Sequence, residues 1–151
     1  MTTNFGENNM GTRANIGIQY EDGSVRCIYT HWDGYPSHHG PILAEVYNTP
    51  EKIEELLDLG DLSSLGRKIG VKHDFQDNDF SVCTAYNRDR EQTNFEAQTL
   101  NPDQIYPDDV GMNDYAYLFK DGAWYVKSFN TEWDHLSDVM DQLQLGDESY
   151  T

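Results

Sequence analysis

The sequence predicts an α+β domain, with an antiparallel sheet built from two β-hairpins and two to three helices packed on one face. Three observations lead there. Asp22-Gly23 and Asp121-Gly122 each lie between runs rich in β-branched and aromatic residues, and Asp-Gly marks a hairpin because both residues tolerate positive φ. Apolar residues recur at helical spacing in Ile53, Leu56 and Leu57, and again in Trp133, Leu136, Met140 and Leu143. The chain has 151 residues, 13% of them aromatic, which is enough to build one core and argues against a wholly disordered acidic chain.

Met1 to Asn9 is polar and reads as a disordered N-terminal extension (1–9), with Met10 a second candidate start. Residues 10–146 form the domain, and 147–151 an acidic C-terminal tail. In the first hairpin Ala14, Ile16, Ile18 and Tyr20 alternate with Asn15, Gly17 and Gln19, the period of a half-buried strand. The return strand, Val25 to Thr30, is apolar on both faces, so it is expected to be covered on both sides and central. The chain then enters His31-Trp32-Asp33-Gly34-Tyr35-Pro36-Ser37-His38-His39-Gly40, where glycine and proline predict a loop on a strand end. Pro41 to Tyr47 is a short helix candidate with Pro41 in its first turn. Thr49-Pro50-Glu51 starts a second helix and Gly60 stops it.

Phe80 to Tyr86 alternates as a third strand and runs into Asn87-Arg88-Asp89-Arg90-Glu91. Residues 101–113 read as a loop. The second hairpin spans Asp114 to Phe129, and Thr131-Glu132-Trp133-Asp134 opens a last helix that ends at Gly146.

The formal net charge is -17, which excludes unassisted binding to a nucleic acid backbone. No apolar run approaches the roughly 20 residues of a membrane span. Cys27 and Cys83 read as a reduced pair rather than a disulfide. Asp74, Asp77 and Asp79 lack the spacing and the glycine of a calcium loop, so they read as a solvated turn. No metal and no cofactor is expected.

Two constellations are candidate sites. His31, Asp33, Tyr35 and His39 combine imidazoles, a carboxylate and a phenol, groups suited to proton transfer or ligand binding. Arg88 and Arg90 carry guanidinium forks that fit phosphate or carboxylate. If the two turns meet, these six residues line a ligand pocket. The plainer reading makes the first stretch a strand-end turn, with His31 and Asp33 satisfying backbone groups and Trp32 and Tyr35 in the core, and lets the interleaved acids neutralise the arginines. No nucleophile is tied to either stretch by a recognised motif, so no catalytic residue is assigned.

The charge distribution is the more distinctive feature. No lysine or arginine follows Lys127, while Glu132, Asp134, Asp138 and Asp141 accumulate and Asp103, Asp108, Asp109 and Asp114 precede them. Helical spacing would set Asp134, Asp138 and Asp141 in one stripe. Such a stripe suits a basic partner or imitates DNA phosphates, and solubility charge gives the same bias.

The runs GTRANIGIQYEDGSVRCIYTHWDGYP (11–36), LLDLGDLSSLG (56–66), YNRDRE (86–91) and YLFKDGAWYV (117–126) together resemble a group of small proteins encoded by tailed bacteriophages and prophages. The order of the motifs matches over most of the chain. Gln92 departs from the group, which commonly has glycine in or after the Arg-Asp-Arg-Glu turn. The resemblance implies a phage accessory protein in the host bacterial cytoplasm and brings no catalytic residues. The expectation is a protein that binds a host or viral macromolecule with a basic surface, as a DNA mimic or an inhibitor of host defence. A small enzyme or ligand-binding domain with the His/Asp/Arg pocket is the alternative, and a minor virion or assembly protein a third.

Overall fold

The computed structural model describes residues 12–77, 79 and 81–150, and for 144–150 the backbone alone. The expected disordered extension, 1–9, lies outside the described residues. The fold is α+β, as the hairpins and helix signals predict. Strands β1 (Ala14–Gln19) and β2 (Val25–Thr30) form the first hairpin, and β6 (Tyr115–Lys120) and β7 (Ala123–Ser128) the second. Short strands β3 (Leu62–Ser64), β4 (Thr84–Ala85), β5 (Gln98–Leu100) and β8 (Asp134–His135) complete an eight-stranded sheet. Its order is β4-β3-β2-β1-β6-β7-β8, with β5 pairing β2 off that path.

The sheet is mixed, not antiparallel throughout. The hairpins join through parallel β1 and β6, with Ile16 opposite Tyr117, and β3 meets β2 in parallel at Thr30 and Leu62. Hairpin signals report only neighbours in sequence, so they carry no information on how two hairpins abut.

Both faces of the sheet are buried. On one, Ile16, Ile18, Ile28, Tyr117, Phe119 and Trp124 pack in one cluster with three helices: α1 (Pro36–Glu45), α2 (Pro50–Leu57) and α4 (Leu136–Tyr150). Arg26 ties α2 to β2 through Glu54 (2.6 Å) and Asp58 (2.8 Å). On the other face Val25, Cys27, Leu100, Tyr106, Ala116 and Leu118 cluster under the 101–113 segment and Trp133. Tyr106 anchors that segment by donating its hydroxyl to the Tyr117 carbonyl at 2.8 Å. The two-sided apolar pattern of β2 is thus met by helices on one side and an irregular cover on the other.

Four expected elements differ. Helix α1 begins at Pro36, not Pro41, because the amides of His38 and His39 bond the Tyr35 carbonyl and close a first turn within the supposed loop; Pro41 lies inside the helix. Of the expected third strand, Phe80 lies outside the described residues; Ser81 to Cys83 make only a single bridge to Lys68, and the strand proper is Thr84–Ala85, after which the chain turns into α3 (Tyr86–Asp89). The last helix begins at Leu136, because Asp134 and His135 pair with Val126 and Tyr125 of β7. Trp133 therefore leaves the helical stripe and stacks on Tyr106 on the opposite face, ring centroids 6.1 Å apart. Finally, α4 runs through Gly146 to Tyr150, so the expected tail 147–151 is helical up to residue 150; a glycine inside a helix costs only about 1 kcal/mol relative to alanine.

Candidate functional site

The outer edge of β2 is shared by two short strands. β5 covers Val25 to Cys27, and β3 reaches only Thr30. Between them the edge has no strand partner among the described residues, and a side chain takes that place: Asp61 Oδ1 accepts the Tyr29 amide at 2.9 Å. A cleft of about 360 Å³ opens there, with Asn15, Tyr29, Asp61, Gln98, Met112 and Asn113 on its walls. Asn113 donates its side-chain amide to Asn15 Oδ1 at 2.9 Å. Burial pushes the Asp61 carboxyl up to about 6; the Tyr29 amide opposes that rise and the charge of Glu96 adds to it. Burial also pushes the neighbouring Cys27 thiol up to about 12, with Asp61 adding to the effect. A thiol so held is not a nucleophile at neutral pH.

His31 lies beyond Tyr29 on the same strand end. Its Nδ1 is 2.8 Å from the Tyr29 hydroxyl and its ring meets Trp32 edge-on at 4.7 Å. Burial lowers the His31 pKa and the Arg13 guanidinium lowers it further, so the imidazole is neutral at physiological pH. Burial raises the Tyr29 phenol, with Arg13 opposing. His31 thus joins a polar group with Arg13 and Tyr29 rather than satisfying backbone.

Trp32 and Tyr35 are not core residues; each is 38% exposed. The reason lies in the turn. Asp33 has φ 60°, and its carboxylate accepts the Tyr35 hydroxyl at 3.1 Å. Gly34 packs so tightly under β1 that a Cβ there would sit 2.7 Å from Ala14 Cβ. The Gly34 amide donates to the Thr12 carbonyl at 2.7 Å, and its carbonyl accepts the Tyr117 hydroxyl at 2.6 Å. With the backbone pinned inward, the flanking aromatics point out.

His39 is fully buried on α1, its Nε2 2.9 Å from Thr30 Oγ1 and its Nδ1 3.0 Å from His38 Nδ1. Burial pushes its pKa down to about 3, with His38 adding to the shift. It is a neutral core hydrogen-bonding group, not a pocket residue.

Arg88 is equally committed. It donates Nη1 to the Ile69 carbonyl and Nη2 to that of Cys83, each at 2.8 Å. It also pairs with Asp89, whose side chain is 0% exposed. Asp89 accepts from Arg88 Nε (2.9 Å), the Ala85 amide (2.8 Å) and the His73 amide (3.1 Å). The pair is a latch between α3 and the 67–83 segment. Arg90 is different: its guanidinium carbon lies 4.7 Å from the ring centroids of both Phe75 and Tyr86, an exposed cation held between two aromatic faces. Trp32 and Asp33 share a second cleft, about 370 Å³, with Phe75 and Thr84. The two turns therefore approach through Trp32, Asp33 and Phe75, while His39 and Arg88 are taken up by hydrogen bonds inside the fold.

The acidic residues form the other candidate surface. Glu132, Asp134, Asp138 and Asp141 are all exposed, as are Asp103, Asp108, Asp109 and Asp114. Asp134 lies on β8 and not on α4, so Asp138 and Asp141 alone share the helical spacing expected of the stripe. Every ion pair among the described residues falls between residues 26 and 91. None of these eight acids has a basic partner among the described residues.

Among the described residues no three His, Cys, Asp or Glu side chains are grouped to hold a metal ion, and no helix is long and apolar enough to cross a membrane. Compared with protein-family models, curated proteins and solved structures, the chain matches none of them. Asp61, the residue that closes the sheet edge, carries no sequence signal beyond its place after Gly60, and sequence reasoning passed over it.

Proposed function

We propose that the protein is a binding module, an accessory protein of a tailed bacteriophage or prophage that docks a basic macromolecular surface in the host bacterial cytoplasm. Charge segregation carries this reading. Arg26, Arg67, Lys72 and Arg88 are consumed by acids within residues 26–91, while the exposed acids at 103–114 and 132–141 have no basic partner among the described residues. Unpaired exposed carboxylates of one sign accelerate encounter with a surface of opposite charge and set the salt dependence of binding. The inhibitor and DNA-mimic readings are versions of this docking. The alternative His/Asp/Arg pocket has less support, because His39 and Arg88 are occupied inside the fold.

The test uses the full chain as bait in bacterial lysate at low salt, beside a Glu132→Gln/Asp134→Asn/Asp138→Asn/Asp141→Asn variant. The expected result is a basic partner captured by the wild type, released by salt and lost by the variant. Recovery of no partner, or of one indifferent to salt and to the substitutions, would overturn the reading.

A further inference from the structure

Asp61 stands in a position that ordinary sheet construction would fill with backbone. One carboxylate oxygen is used by the Tyr29 amide, and the other has no hydrogen-bond partner among the described residues. No lysine, arginine or histidine forms an ion pair with Asp61 there. A part-buried carboxylate without a counter-charge is costly, and proteins compensate such groups by pairing or protonation.

The surroundings select what would compensate it. Glu96 adds negative charge, so an anion is disfavoured. A metal ion lacks further ligands, since no group of three suitable side chains occurs among the described residues. The amides of Asn15, Gln98 and Asn113 offer carbonyl acceptors on the same walls, and Val110 and Met112 supply an apolar side. At about 360 Å³ the cleft is at the small end of ligand sites, a size for one side chain rather than a large cofactor. A charged head on a methylene arm matches this division, because such chains lay the arm on apolar surface and keep the head among polar groups.

We propose that this cleft receives a lysine or arginine side chain of the basic partner, the cationic head against Asp61 and the Asn15–Asn113 pair and the methylene arm along Met112. The inference rests on the docking reading above and adds to it a discrete anchoring pocket, separate from the acids of residues 132–141.

The test titrates N-acetyl-argininamide and N-acetyl-lysinamide into the isotope-labelled full chain and follows amide resonances by NMR, with N-acetyl-citrullinamide as the uncharged counterpart of the arginine probe. Saturable shifts are expected at Tyr29, Asp61 and the side-chain amides of Asn15, Gln98 and Asn113, with little response to citrulline. Asp61→Asn keeps an oxygen for the Tyr29 amide, so the fold should be retained, which a thermal melt checks. Loss of a charge-assisted contact should weaken the cationic probes about tenfold or more. Binding to the wild type should fall as pH drops through about 6, where Asp61 takes up its proton. The inference is overturned if no saturable shift appears at these residues, if citrulline binds as well as arginine, or if folded Asp61→Asn binds unchanged. The variant at 132, 134, 138 and 141 should bind the probes normally. Its failure to capture a partner would concern the outer acids, while failure of the probes would concern only the cleft.

Discussion

Asp89→Ala should be among the most damaging single substitutions in the chain. It deletes a carboxylate with no exposed surface that accepts from two backbone amides and from the Arg88 guanidinium. Each backbone donor left bare in the interior costs about 1–3 kcal/mol. Removing one partner of a buried ion pair costs about 3–5 kcal/mol. These losses are not additive, because Arg88 keeps its carbonyl acceptors at Ile69 and Cys83. A net loss of about 3–5 kcal/mol follows, and for a domain of this size about 2–4 °C of Tm per kcal/mol. Urea titration with a double-mutant cycle against Arg88→Met measures both the loss and the coupling. Burial works to raise the Asp89 pKa, but the bonds from Arg88, Ala85 and His73 more than offset it and the carboxyl is held low. Its stabilisation is therefore present above the ordinary carboxylate range near about 4 and lost as pH falls through the lower folded value. A loss below about 1 kcal/mol for Asp89→Ala, with no coupling to Arg88, would refute the latch.

Asp61 has the opposite sign: its folded pKa is raised, so Asp61→Asn should raise the Tm at pH 7.5, and the difference from wild type should shrink toward pH 4.5; a constant difference would argue against a strained carboxylate. His39, held neutral by burial, contributes stability that is complete above its unfolded pKa of about 6.5 and declines as pH falls below it; His39→Gln should flatten that part of the melting profile. Gly34→Ala should cost about 1–3 kcal/mol by forcing a methyl against Ala14 and the Thr12 carbonyl, read by chemical denaturation. Leu136→Ala, 1% exposed on the helix face, should cost about 2–5 kcal/mol, whereas Asp138→Asn with Asp141→Asn should change stability by less than about 0.5 kcal/mol each.

Much of the fold was legible because its signals are local. Both Asp-Gly turns, the Thr49-Pro50 start of α2 and the two-sided character of β2 each depend on residues within one turn or one strand. The parallel β1–β6 junction was not, since it joins residues about a hundred positions apart. Trp133 was misplaced because its spacing to Leu136 fits a helix equally well, and only its stacking partner Tyr106 breaks the tie. His31 and the exposed acids were found as candidates from residue type alone. His39 and Arg88 have the same types but satisfy buried groups, and burial is a tertiary property. Asp61 was missed for the complementary reason: its role comes from the two short strands that fail to meet beside it.

The parallel junction also sets an order of events during synthesis. β1 and β2 can pair as soon as they leave the ribosome, but the other edge of β1 has no partner until Tyr115–Lys120 has been made. At elongation rates of about 5–20 residues per second, that interval is about 5–20 s. Throughout it, Ala14 to Gln19 offers an unpaired row of backbone groups flanked by Ile16 and Ile18, the kind of edge that recruits a second nascent chain. Glu21 and Asp22 at the turn and Glu51 and Glu55 on α2 are acids the nascent chain carries by then, and like charge of this kind opposes the approach of a second copy.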